Sequence, residues 1–113
     1  MPHFRFRAVQ PDLVQTIAKP LTDTLAPVMN SPREDFTFEY IPSTFFFDDA
    51  ISAAYPFVEI LWFDRGQSTQ DHVAKTVTAQ VRDALGADVN VAVIFTALVP
   101  SAYYDNAVHY GNP

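Results

Sequence analysis

The chain has 113 residues, 49% hydrophobic and 14% aromatic, the length of a single domain (1–113) with enough apolar material for a real core. Cysteine is absent, which excludes disulfides, thiolate metal ligands and cysteine nucleophiles and fits a reducing cytoplasm. Thirteen acidic against seven basic side chains leave a net charge of −6, which disfavours nucleic acid and anionic membranes as partners.

Neither an apolar signal core nor an apolar run of about 18 residues occurs, so a soluble, cytoplasmic protein is expected. Pro2 follows Met1 directly and opens an alternating stretch, with Phe4, Phe6 and Ala8 on one side and His3, Arg5 and Arg7 on the other. That two-residue period predicts a first strand with a polar face. Proline at position 2 is small enough for the methionine to be trimmed, and its ring nitrogen then becomes a free secondary amine. Partly desolvated by Phe4 and other aromatics, such an amine holds its proton less tightly than in water, which suits a general base.

Leu13, Ile17, Leu21, Leu25 and Val28 follow at helical spacing, with Pro20 expected to kink or split the helix and Asn30-Ser31-Pro32 to end it. Phe36 to Phe47 is rich in aromatic and β-branched residues and predicts one long, nearly all buried second strand. The same order then recurs. Phe57 to Phe63 predicts a strand, Ser68 to Leu85 a helix and Val89 to Leu98 a strand. Ser68 and Asp71 resemble a capping box, and Gly86 stands at a C-cap position. Pro56 follows Pro2 by 54 residues, Ser68 follows Asp12 by 56, and Val91 follows Phe36 by 55. Two βαβ pseudo-repeats, about 1–48 and 55–98, therefore precede a tail at 99–113. Right-handed crossovers give an α+β fold: a four-stranded mixed sheet with two helices on one face. The aromatics of the second strand need a cover, and oligomerisation supplies it.

With this organisation the chain resembles the tautomerase superfamily, whose longer members, such as macrophage migration inhibitory factor, are two fused βαβ units with an N-terminal catalytic proline and form trimers. It looks closest to a bacterial domain-of-unknown-function branch, through Met1-Pro2-His3-Phe4-Arg5-Phe6-Arg7 and Tyr55-Pro56-Phe57-Val58-Glu59-Ile60-Leu61-Trp62-Phe63-Asp64-Arg65-Gly66-Gln67. The resemblance covers the chain to about Leu98. It implies a homotrimeric keto-enol isomerase, without a cofactor, in which Pro2 moves a proton on a small carboxylic acid after loss of Met1. Other superfamily reactions, decarboxylation or dehalogenation, use the same residues.

Antiparallel pairing of the first and third strands, as in the family, places Phe63, Asp64 and Arg65 beside Pro2, and parallel pairing with the second strand brings Pro32 and Arg33 near. Arg65 is the expected grip for a substrate carboxylate or enolate, because guanidinium binds such groups in two places. Arg33 is the second candidate. Cytokine-type members carry a tyrosine and an asparagine on the last strand where this chain has Ala92 and Ile94, so their substrate is not carried over. Tyr103, Tyr104 and Tyr110 of the tail are candidates to close the pocket.

Charges on half-buried strands are costly unless paired, so Arg5, Arg7, Glu39 and Glu59 are expected to form an ion network that holds the sheet or tunes Pro2. His3, His72 and His109 lack ligand spacing, and no metal is expected. No glycine-rich phosphate loop exists, and Ser43 and Thr44 have no paired histidine. The competing expectation is a non-catalytic oligomeric binding protein that keeps the fold.

Overall fold

The computed structural model describes residues 1–111. His3–Arg7 form strand β1, Pro11–Val28 helix α1 and Thr37–Tyr40 strand β2. A hairpin of β3 (Phe45–Phe47) and β4 (Ala50–Ser52) leads to β5 (Phe57–Trp62), helix α2 (Gln67–Leu85) and β6 (Ala92–Ala97). The tail adds a short 3-10 turn at Pro100–Ala102 and a hairpin of β7 (Tyr104–Asp105) and β8 (Val108–His109).

The main sheet runs β2-β1-β5-β6, with β1 parallel to β2, β5 parallel to β6, and β1 antiparallel to β5. Alternation decides which face is which. Phe4, Phe6, Val58, Ile60 and Trp62 are buried, and they meet Val14, Ile17, Leu21 and Leu25 of α1 and Val73, Val77 and Val81 of α2 in one core. On the opposite face Arg5 bonds both Glu39 and Glu59 at 3.2 Å, Arg7 lies 3.8 Å from Glu59, and His3 lies 2.8 Å from Glu39. The expected ion network is therefore present across three strands. The His3 hydrogen bond, helped by Arg5, holds the Glu39 carboxyl below its ordinary range.

Three local expectations are corrected. The region Phe36 to Phe47 is not one strand: the Ile41 N–H closes the pairing on the Phe6 carbonyl at 2.9 Å, and Pro42, which has no N–H to give a ladder, releases the chain into the β3–β4 hairpin. Phe46 and Phe47 are in consequence 70% and 73% exposed. Helix α1 is not split at Pro20, because the buried residues on both sides of it lie on one face against the same core. Helix α2 is not capped by Ser68. Its N-cap is Gly66, whose φ of 92° suits glycine, and Asp71 accepts from the side chain of Gln67 instead. Gly86 does end the helix, its N–H donating to the Arg82 carbonyl at 2.8 Å.

Candidate functional site

The strand register builds the site. His3 pairs with Thr37 on the parallel side and with Leu61 on the antiparallel side, so two residues back along β1 the chain start lies between Asp35 and Phe63. Pro2 is fully buried, and its carbonyl accepts the Thr37 N–H at 3.2 Å. The Met1 amine stands 4.0 Å from an Asp35 oxygen. Next to it is a cavity of about 160 Å³ lined by Met1, Glu34, Asp35, Thr37, Tyr103, Asp105 and Tyr110. Larger depressions of about 480 and 530 Å³ lie elsewhere, one between α2 and β6 and one beneath the β3–β4 hairpin.

The tail makes one wall of the small cavity. Tyr103 meets Phe63 edge-on at 5.5 Å and Tyr110 at 5.1 Å, and Phe63 stacks on Tyr110 at 5.6 Å. The Tyr110 hydroxyl donates to Asp105, and that bond pushes its pKa up to about 12. Tyr104, in contrast, is 60% exposed and outside the cavity.

Burial lowers the pKa of the terminal amine below its ordinary value, because the ammonium loses water. Asp35 and Asp105 oppose that shift and Arg65 adds to it. Among the described residues no group of three or more His, Cys, Asp or Glu is placed to hold a metal ion.

Arg65 sits near the cavity, but its N–H groups serve its own chain. Nε donates to the Met29 carbonyl at 2.8 Å, one terminal nitrogen to the Phe63 carbonyl at 2.5 Å, and the other to the Ser31 hydroxyl at 2.9 Å. Its guanidinium also lies 5.8 Å over the Trp62 ring. The end of α1 is thereby tied to the end of β5. Arg65→Ala should lower the urea unfolding midpoint by the equivalent of about 2–3 kcal/mol, and Arg65→Lys should restore little, since a point charge cannot serve three acceptors in a fork. An unchanged midpoint for Arg65→Ala would contradict the tie.

Asp64 is exposed and caps the turn before α2 by accepting the Gly66 N–H at 2.8 Å. Arg33 turns away from the cavity to pair with Asp23 of α1. Of the expected site residues, Pro2 and Phe63 therefore adjoin the cavity, Arg65 reaches it by its charge, and Asp64 and Arg33 are engaged outside its lining. Glu34, Asp35, Thr37 and Asp105 were not anticipated. The β1–β2 register, which starts at His3 with Thr37, puts Asp35 opposite Met1, where the sequence suggests Pro32 and Arg33; Asp105 depends on how the tail folds back.

A family model for a domain of unknown function (DUF1904) matches residues 1–109. A DUF1904 crystal structure from Sebaldella termitidis is 34% identical, covering 97% of this chain and 100% of that one, with a TM-score of 0.91. A protein of unknown function from Vibrio cholerae is 41% identical over 96% of this chain and 87% of its own, with a TM-score of 0.88. A fused 4-OT described as an asymmetric trimer shares the fold at 9% identity and a TM-score of 0.78, covering 96% of this chain and 95% of its own. Macrophage migration inhibitory factor homologues also share it, at 12–15% identity. No curated protein matches the chain. With the two parallel βαβ units and their antiparallel seam in place, the chain belongs to the DUF1904 family and has the tautomerase-like α+β fold.

Proposed function

We propose that the protein is a tautomerase-like isomerase of the bacterial cytoplasm, which moves a proton on a small keto or enol compound with the Pro2 nitrogen as base once Met1 is removed. The observation that carries this reading is the buried chain start opening beside a cavity walled by Tyr103 and Tyr110. The same surroundings act on the Pro2 nitrogen once loss of Met1 makes it the chain end, and desolvation there disfavours its charged form. No redox partner is needed, since the same nitrogen takes and returns the proton. The test is ketonisation of phenylenolpyruvate by protein whose loss of Met1 is verified by mass spectrometry. Uniform retention of Met1 leaves the proline nitrogen an amide and rules out the reading.

The working unit in this proposal is a homotrimer. Phe46, Phe47 and Ile51 project from the hairpin at 70%, 73% and 76% exposure, and Ile94 is exposed on the edge strand β6. The fused 4-OT with the same fold is itself described as a trimer.

A carboxylic-acid substrate is the class that the superfamily resemblance implies, and within one subunit it meets Glu34, Asp35 and Asp105. Asp35→Asn should therefore raise kcat/KM for phenylenolpyruvate by several-fold, by removing a like charge worth on the order of 1 kcal/mol at this partly exposed site. A fall in kcat/KM would assign Asp35 a helping role instead.

A further inference from the structure

The proposed proton transfer places negative charge on the substrate oxygen, and that charge needs a donor aimed at it. Arg65 is outside the lining of the cavity, and each of its three nitrogens is already held by a bond to Met29, Phe63 or Ser31. Glu34, Asp35 and Asp105 only accept when ionised. The Tyr110 hydroxyl is given to Asp105, and the Thr37 hydroxyl lies 2.5 Å from the His3 ring nitrogen. Tyr103 differs. It lines the same cavity, and its hydroxyl has no hydrogen-bond partner among the described residues.

The Tyr103 ring is also held in place. Its N–H donates to the Pro100 carbonyl at 3.2 Å, its carbonyl accepts the Tyr110 N–H at 3.1 Å, and its ring is fixed edge-on against Phe63 and Tyr110. We propose that Tyr103 is the catalytic hydrogen-bond donor to the enolate oxygen, the role that the sequence reading gave to Arg65. This rests on the Pro2 reading. In ketonisation the Pro2 nitrogen takes the enol O–H proton, the oxygen lone pair becomes the carbonyl bond, and the carbon–carbon double-bond pair takes the proton back at carbon. Tyr103 donates to the oxygen while it is anionic and keeps its own proton. Burial, with Asp105 and Asp35 close by, raises its pKa and keeps the phenol in its donating form.

The experiment compares wild-type, Tyr103→Phe, Tyr104→Phe and Pro2→Ala proteins, all verified to lack Met1, in ketonisation of phenylenolpyruvate. Tyr103→Phe should lower kcat by about 10- to 10²-fold with little change in KM, because the bond is made to the transition state. Exposed Tyr104→Phe should match wild type. If Tyr103→Phe keeps the wild-type kcat while Pro2→Ala loses it, the donor role is overturned and the base is not. If wild type has no turnover, or Pro2→Ala keeps it, the base reading falls and the donor role with it. Should Tyr103→Phe fail to fold, 3-fluorotyrosine at position 103 carries the test. A more acidic donor should shift kcat by about 2-fold or more, and an unchanged kcat overturns the proposal.

Discussion

Pro2→Ala is expected to lower kcat/KM for ketonisation by about 10²-fold, the lower end of what a positioned general base contributes. The substitution leaves an amine at the chain end but makes it primary, with different basicity and no ring to fix its direction. The backbone bond from Thr37 to the residue-2 carbonyl is kept, but the buried ring is trimmed, so a stability loss of about 1 kcal/mol is expected and activity is compared on folded protein. The pH profile gives an independent check. The base works only when unprotonated, so activity falls as pH drops through its pKa. Desolvation at the chain start disfavours the protonated amine, so the acid limb should lie below the pKa of a free N-terminal proline in water. Asp35→Asn removes a carboxylate beside the chain start that favours the charged amine and should move the limb lower still. Wild-type kcat/KM in Pro2→Ala would end the proposal.

Phe38→Lys and Phe46→Lys should fail in different ways, although both residues fall in one aromatic stretch. Phe38 stacks on Phe4 with ring centroids 4.8 Å apart and on Phe6 at 6.4 Å, packed against the core. A lysine there places an unpaired charge among apolar rings at a cost of several kcal/mol, a large part of the about 5–15 kcal/mol that holds such a domain together. Loss of the folded circular-dichroism signal at 25 °C is the expected result. Phe46 is 70% exposed in the single chain, so Phe46→Lys should fold with stability changed by no more than about 0.5 kcal/mol. In the proposed trimer that ring is covered, and the variant should sediment as a monomer where wild type does not. A folded wild-type monomer at micromolar concentration would remove the assembly.

Periodicity alone is enough to read the strands and helices of the core. Phe4 and Phe6 alternating with Arg5 and Arg7 define a strand with one apolar and one charged face, and the helical spacing of Ile17, Leu21 and Leu25 defines what covers the apolar one. Repeated strand–helix–strand order then leaves few ways to arrange the sheet, and β2-β1-β5-β6 is one of them. The charges on strands foretold their pairing, because an unpaired charge on a half-buried strand is too costly to keep.

Which partner each polar side chain takes depends on contacts formed when distant elements pack together. Arg65 is as available as any arginine in the sequence, but Met29 and Ser31 from the distant end of α1 join the neighbouring Phe63 carbonyl as its acceptors when α1 meets the end of β5. Arg33 is drawn to Asp23, ten residues back, because the turn after α1 returns it to that helix. The aromatic run from Phe36 reads as one strand, whereas Pro42 breaks its ladder once Ile41 has paired with Phe6. The tail carries too little pattern to place Tyr103. Its position comes from Tyr110 of the same tail and from Phe63, far back in the chain, and local periodicity holds no record of the second contact.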